Sequence, residues 1–65
     1  MPSKVIRAFS YDPDEARLDV TFTSGRRYSY HEVPAELAAG MKLAFAKGVF
    51  FNRHIKDRFR HTPSP

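Results

Sequence analysis

The 65-residue sequence contains no cysteine. This absence excludes disulfide bonds and thiolate zinc sites as sources of stability. A chain this short buries only about 60% of the surface that its unfolded form exposes, so the small core that it can build must be well packed. Six phenylalanines and three tyrosines are available for that core, and each aromatic side chain buries a large apolar area.

The sequence also lacks a long apolar run. No segment approaches the roughly 18 consecutive apolar residues that can cross a bilayer. Residues 1–4 lead directly into a strand-like pattern, without the apolar segment of a signal peptide. We therefore expect a soluble, cytoplasmic protein.

Acidic residues are scarce in one part of the chain. Residues 1–40 hold five basic and six acidic side chains, a balance of −1, whereas residues 41–65 hold six basic side chains and only Asp57, a balance of +5. The last third is thus a positive region on a nearly neutral body, which favours contact with a polyanion such as nucleic acid. A merely solubilising basic face is the alternative.

Three segments have the patterns of strands. Residues 5–11 are rich in β-branched and aromatic side chains, and residues 12–15 then predict a turn. Residues 17–24 alternate apolar and polar side chains, as a strand with one buried face does. Ser24 and Gly25 can form a tight hairpin, so residues 26–33 should return antiparallel beside the second strand.

The inward face of the first strand is ambiguous. Ile6 and Ala8 share one parity, whereas Phe9 and Tyr11 share the other. If Ile6 and Ala8 point inward, Phe9 and Tyr11 join Arg7 on an outer face where single-stranded nucleic acid could stack. If the strand has a bulge or the opposite register, Phe9 belongs to the core, and we favour this interpretation.

A first helix is predicted after Pro34, which suits the first helical position because its missing N–H needs no partner there. This helix should extend to about Lys47. Its apolar stripe consists of Leu37, Met41, Ala44 and Phe45. Gly40 inside it indicates close packing against a neighbour, and Gly48 is expected to end it in the left-handed conformation.

A second, shorter helix should follow, with Asn52 capping its start through the side chain. Its apolar face consists of Phe51, Ile55 and Phe59, and its basic face consists of Arg53, Lys56 and Arg60. Residues 1–61 are predicted to form a single domain. Residues 62–65 lack apolar anchors and are predicted to be a disordered tail.

The two tyrosines of the third strand are expected to face the helices. Arg27, Ser29 and His31 occupy the other face of this strand, and burying them would cost about 1–3 kcal/mol for each unpaired polar group. Tyr28 and Tyr30 instead gain from burial, while their hydroxyls can reach the rim.

The predicted fold is α+β: a three-stranded antiparallel β-meander followed by two helices packed on one face, in the order β-β-β-α-α. Its predicted core consists of Ile6, Leu18, Val20, Phe22, Tyr28, Tyr30, Leu37, Met41, Phe45, Phe51 and Ile55.

With these elements in place, the chain resembles the KTSC domain family, which is named for the C-terminus of some lysyl-tRNA synthetases and also occurs as stand-alone bacterial proteins. The matching stretches are IRAFSYD (6–12), LDVTFTSG (18–25), YSYHEVP (28–34) and KGVFFNRHIK (47–56). The family pattern falls on Tyr11, Gly25, Tyr28, Tyr30, Val33, Pro34, Gly48, Phe51, Asn52 and Ile55. Ala46 departs from it, because the family usually has serine there. The resemblance implies the fold and, through the synthetase context, RNA binding.

RNA binding through backbone phosphates is the leading functional hypothesis. The residues predicted to carry it are Arg53, Lys56, Arg58, Arg60, Arg26 and Arg27. The alternative is a protein-interaction or homodimer module. It rests on the consecutive residues 49–51, which one helix face cannot all bury, so that Phe50 could form part of an exposed aromatic patch.

Enzymatic chemistry is not expected, because the sequence has no Gly-rich phosphate loop, no nucleophile elbow and no convincing pair of carboxylates. His54 and His61 could share a helical face, but no carboxylate joins them at ligand spacing. We therefore expect neither a metal nor a cofactor.

Overall fold

The computed structural model describes residues 6–64, so the beginning of the first predicted strand at Val5 lies outside the described residues. The elements are strands β1 (Ile6–Asp12), β2 (Arg17–Phe22) and β3 (Arg27–Tyr30), helices α1 (Ala35–Leu43) and α2 (Lys47–His54), and strand β4 (His61–Pro63). The strands form one antiparallel sheet in the order β1-β2-β3-β4. The predicted α+β fold is confirmed, with a short fourth strand at its end.

Both turns of the meander have local causes. The Asp12 carboxylate accepts a hydrogen bond from the Asp14 backbone N–H at 3.0 Å, which holds the turn after β1. In the β2–β3 hairpin, Gly25 adopts a φ of +96°, which the absence of a Cβ allows, and its N–H donates to the Phe22 carbonyl at 2.9 Å. The predicted hairpin is confirmed.

A β-bulge determines which side chains of β1 face the core. The pairing of β1 with β2 shifts between Ile6 and Ala8, so that Arg7 is an extra residue. Ile6, Phe9 and Tyr11 consequently all pack on the core side of the sheet. The bulge interpretation, with Phe9 in the core, is confirmed.

Helix α1 ends earlier than predicted. Its last residue is Leu43, because Ala44 is extended, with ψ at 135°. The Lys47 ammonium donates to the carbonyls of Ala44 (2.9 Å) and Lys42 (3.2 Å), which satisfies acceptors left over at this helix end. The predicted continuation of this helix to Lys47 is therefore wrong.

Two predictions for residues near this helix end are wrong for the same reason. Phe45 was expected in the core, but it follows α1 in the extended link and is fully exposed, at 102%. Gly48 was expected to end α1, but it is a buried residue in the first turn of α2. Gly40 packs closely as predicted, because a Cβ there would lie 2.9 Å from Cζ of Phe50.

Helix α2 begins earlier than predicted. Ala46 occupies its N-cap position, and Asn52, expected as the cap, lies exposed inside the helix. The chain leaves the helix after His54 in a tight turn. The N–H groups of Ile55 and Lys56 both donate to the Phe51 carbonyl there, each at 2.9 Å.

The basic residues predicted for one helical face therefore belong to different elements. Arg53 lies on α2, Lys56 lies in the turn after it, and Arg60 lies next to β4. Phe59 has also left the helix, although it still packs against the core.

The C-terminal segment differs from the disordered tail that the sequence predicts. Strand β4 pairs with β3, with Thr62 opposite Ser29. The Ser64 N–H also donates to the Arg27 carbonyl at 2.9 Å. Strand β4 carries no large apolar side chain that would have marked it in the sequence, and its order comes from backbone pairing with β3.

The core lies between the sheet and the two helices. Its buried members are Ile6, Leu18, Val20, Tyr30, Val33, Met41, Phe51 and Ile55. Of the other predicted members, Phe22, Tyr28 and Leu37 are partly buried against it. Val33, which the predicted core does not include, is buried after Glu32 turns the chain with a positive φ of 59°.

Candidate nucleic-acid interface

Aromatic side chains from β3, α2 and β4 meet at one end of the core. Tyr30 lies edge-to-face with Phe51 at a ring-centroid distance of 5.2 Å, and His61 stacks on Tyr30 at 5.2 Å. His61 also contacts the Tyr28 ring, edge-to-face at 5.5 Å. Tyr30 is buried, Tyr28 is half-buried and His61 is exposed, so the cluster grades from core to surface.

An open cleft of about 320 Å³ lies over this cluster. Its lining residues are Phe22, Tyr28, Tyr30, Phe51, Asn52, Lys56, Asp57 and His61. The aromatic rings supply flat faces, and three polar groups stand at the rim: an amide, an ammonium and a carboxylate. Such a cleft can hold a planar ring and make hydrogen bonds to its edge.

The cleft affects the ionisation of Tyr30. Burial raises the pKa of the Tyr30 phenol above its ordinary value of 10.0, and Tyr28 and Asp57 raise it further by disfavouring a second negative charge nearby. The phenol therefore stays protonated at neutral pH. The Asp57 carboxylate is thus close enough to Tyr30 for its charge to act on that phenol.

A second depression adjoins the cleft at the β2–β3 hairpin. It has a volume of about 520 Å³ and is lined by Gly25, Arg26, Arg27, Tyr28, Pro63 and Ser64. Tyr28 lines both hollows, so the hairpin arginines and the aromatic cleft share one wall. We call these two hollows together, from Arg26 to Lys56, the tyrosine groove.

The six basic residues predicted to bind RNA fall into separate places. Arg26, Arg27 and Lys56 line the tyrosine groove, and Arg53 is exposed on α2 one turn before Lys56. Arg58 and Arg60 line a different hollow. The other residues of that hollow are His31, Glu32 and Phe59.

The opposite face of the sheet carries a polar network. The Ser29 hydroxyl donates to the Asp19 carboxylate at 2.6 Å, and Arg17 Nε donates to the same carboxylate at 3.1 Å. Ser29 is buried, at 7% exposure, although the sequence analysis placed it on the solvent face. Its position between two neighbouring strands explains the burial, and the bond to Asp19 satisfies its hydroxyl.

The apolar surface around the helix link differs from the patch proposed from the sequence. Phe50 is half-buried, with its ring 4.6 Å from that of His54. Within residues 6–64, the exposed large apolar residues are instead Leu43, Phe45 and Val49. The exposure expected of Phe50 is therefore found at Phe45.

Among residues 6–64, no group of three or more His, Asp or Glu side chains is placed to hold a metal ion. In the same part of the chain, neither helix has the length and apolar content to span a membrane.

His61 and Asp57 both line the tyrosine groove, although neither is among the residues predicted to bind RNA. In the sequence, His61 is paired with His54 as a possible metal ligand, whereas its stacking on Tyr30 depends on β4, which the sequence does not predict. One feature of the sequence could have indicated a special role for Asp57, because it is the single acidic residue among residues 41–65.

Comparison with known proteins gives matches over almost the whole chain. A family model described as the KTSC domain matches residues 2–59. A protein of Tsukamurella paurometabola is 43% identical over 58 residues, which cover 89% of this chain and 87% of that protein. A lysine–tRNA ligase of Nostoc punctiforme is 38% identical over 56 residues, which are 86% of this chain but 10% of the ligase.

The fold has a solved counterpart. The crystal structure of a KTSC domain protein from Yersinia pestis matches with a TM-score of 0.89 at 32% identity, covering 92% of this chain and 84% of that one. The likeness is therefore to the domain as a whole and is not limited to one motif.

Proposed function

We propose that this chain, which belongs to the KTSC domain family, is a small binding module for unpaired segments of RNA. The tyrosine groove is the proposed contact surface. Bases stack on its exposed rings, and the cations along it contact backbone phosphates.

The observation that carries the proposal is the place of Tyr28 between two hollows. One hollow supplies Arg26, and the other supplies Lys56 together with the exposed His61 ring. Proteins that bind single strands combine aromatic platforms with a positive groove in this way, because every base has a π-face and every nucleotide has a phosphate. Arg27, Arg53, Arg58 and Arg60 are proposed to contact further phosphates.

One relative points to the same class of ligand. The Nostoc punctiforme protein is a lysine–tRNA ligase, and a region similar to this chain makes up 10% of it. By its name that enzyme acts on tRNA. A domain shared with it is a reasonable candidate for RNA contact in this chain.

The test is a titration of the isotope-labelled protein with unfractionated tRNA and with a single-stranded RNA, at about 50 and about 200 mM salt. We expect NMR shifts along the tyrosine groove that weaken at the higher salt. Replacing Arg26 and Lys56 together by Ala should weaken binding to all RNAs and lower the slope of log K against log salt by about 1.4.

Arg7→Ala with Lys42→Ala is the matched control. It removes the same charge from two exposed residues on β1 and α1 that do not line the groove. If the control lowers affinity as much as the groove variant, the groove is not the contact surface. If no RNA binds at the lower salt, the proposal fails.

Self-association is a second candidate function, favoured by the exposed apolar residues of the helix link. Leu43 is 85% exposed and Phe45 is fully exposed. A hollow of about 440 Å³ is lined by Phe9, by Lys42, which precedes Leu43 in the chain, and by three alanines of α1, namely Ala35, Ala38 and Ala39. In a two-fold symmetric dimer, the exposed ring of one copy would fill the hollow of the other.

Sedimentation velocity tests this candidate. We expect a dimer at high protein concentration and a monomer for Phe45→Ser, whose folding should be unaffected because the ring makes no buried contact. A monomeric wild type at millimolar concentration would contradict self-association.

A further inference from the structure

A carboxylate such as that of Asp57 is not expected in a surface that contacts only phosphates. It is the single acidic residue among residues 41–65, and it lines the aromatic cleft beside Lys56. Within residues 6–64, the ion pairs involve Arg17 with Asp12 and with Asp19, and none involves Asp57. A carboxylate repels the RNA backbone, so phosphate contact gives no reason for its position.

An ionised carboxylate accepts hydrogen bonds and donates none. Among the RNA bases, guanine presents two adjacent donors on its Watson–Crick edge, the N1–H and the exocyclic amino group, and these match the two oxygens of a carboxylate. Adenine and cytosine present one amino group beside an acceptor nitrogen. Uracil presents one N–H between two carbonyls, which a carboxylate repels.

The rest of the cleft suits a base in this position. Tyr28 and His61 present ring surface near the rim, and the side-chain amide of Asn52 can donate to a carbonyl oxygen such as guanine O6. Unpaired RNA bases are recognised through stacking and edge hydrogen bonds of this kind. Lys56 on the same rim favours a nucleotide with its phosphate over a cationic peptide, which it would repel.

We propose that the cleft over Tyr28, Tyr30 and His61 binds one unpaired guanine of the RNA, with the Asp57 carboxylate accepting from N1–H and the amino group. The inference rests on the proposed RNA-binding function and adds base preference to it. Phosphate contacts by Arg26 and Lys56 position the strand, and Asp57 distinguishes guanine from the other bases.

The experiment measures the affinity of four single-stranded RNA hexamers by fluorescence anisotropy at about 50 mM salt. The hexamers carry G, A, C or U at one central position in an otherwise uridine sequence. We expect the G hexamer to bind about tenfold more tightly than the others, which is the usual size of a two-bond base contact. Asp57→Asn should reduce this preference to near unity, because an amide cannot accept two hydrogen bonds from adjacent donors.

Asp14→Asn is the matched control. It makes the same charge change at an exposed residue in the β1–β2 turn, outside the tyrosine groove. Both variants should bind the RNA backbone slightly more tightly, but Asp14→Asn should keep the preference for G. A thermal melt of each variant checks that both are folded.

The outcomes separate the two proposals. Equal affinity of wild type for all four hexamers overturns the guanine assignment and leaves RNA binding standing. A G preference that survives Asp57→Asn overturns the role of Asp57. Absence of RNA binding overturns both, and chemical shifts in the cleft on addition of tetramethylammonium would then identify it as a site for cationic groups.

Discussion

Tyr11 joins the first strand to the link between the sheet and the helices. Its hydroxyl donates to the backbone carbonyl of Val33 at 2.6 Å, across 22 residues of sequence. Val33 is fully buried, so its carbonyl has little access to water. A hydrogen bond in this position contributes more than one at the surface, because removing the donor leaves a buried acceptor without a partner.

Tyr11→Phe should therefore lower the free energy of unfolding by about 1–2 kcal/mol, because the Val33 carbonyl loses its donor. The measurement is urea unfolding followed by circular dichroism. Tyr28→Phe is the control, since the Tyr28 hydroxyl makes no hydrogen bond within residues 6–64. Equal effects of the two changes would show that the bond to Val33 contributes nothing specific.

At the scale of the element, helix α2 begins without a side-chain cap. Ala46 has the extended conformation of an N-cap residue, with φ −108° and ψ 92°, but it has no side-chain oxygen to accept from the first N–H groups of the helix. The family to which the chain belongs usually has serine at this position. The departure noted in the sequence thus coincides with a missing cap.

Ala46→Ser should raise the free energy of unfolding by about 1 kcal/mol, because the hydroxyl can accept from an otherwise unpaired backbone N–H. Chemical denaturation is the measurement. Ala39→Ser, an exposed position inside α1, is the control and should lower stability by a few tenths of a kcal/mol through helix propensity alone. A loss of stability in Ala46→Ser would contradict the assignment of Ala46 as the N-cap.

The ends of the helices were harder to predict from the sequence than the strands. The apolar spacing of Leu37, Met41 and Phe45 predicts one continuous stripe, but the stripe stops at Met41 because the chain becomes extended at Ala44. Nothing in the local sequence marks this end, since alanine favours helices. The end is stabilised by the Lys47 side chain, which donates from the first turn of α2 to the Ala44 carbonyl.

At the scale of the whole molecule, the burial of Tyr30 links stability to alkaline pH. Its pKa lies above the ordinary value of 10.0 in the folded state, chiefly through burial, whereas the unfolded chain has the ordinary value. Above pH 10 the unfolded state releases the phenol proton before the folded state does. The contribution of the Tyr30 phenol to the free energy of unfolding is therefore fully present below pH 10. It is lost as the pH rises from there through the folded pKa.

We expect the urea midpoint of the wild type to fall more steeply between pH 9 and pH 11 than that of Tyr30→Phe, which has no proton to release. Every other ionisable group is the same in the two proteins, so the difference between the two curves isolates Tyr30. Parallel curves would show that the Tyr30 phenol is not shifted by folding.

Much of the candidate site could be found from the sequence, but its assembly could not. The alternation around Tyr28 and Tyr30 indicated that they face the helices, and the charge count indicated a basic C-terminal third. Spacing along the chain predicts that the basic residues Arg53, Lys56 and Arg60 share one helical face. The turn after His54 instead brings Lys56 to the tyrosines and leaves Arg58 and Arg60 in another hollow.

The sequence by itself determined the sheet and the identity of most core residues, because side-chain alternation, the hairpin glycine and aromatic burial are local properties of short segments. Tertiary structure alone decided the bulge in β1, the ends of both helices, the pairing of β4 and the position of Asp57 in the cleft. The bulge, the β4 pairing and the cleft depend on contacts between residues far apart in the chain, and the end of α1 depends on a side chain of the next helix. Backbone pairing to β3 orders a segment that has no apolar side chain of its own to do so.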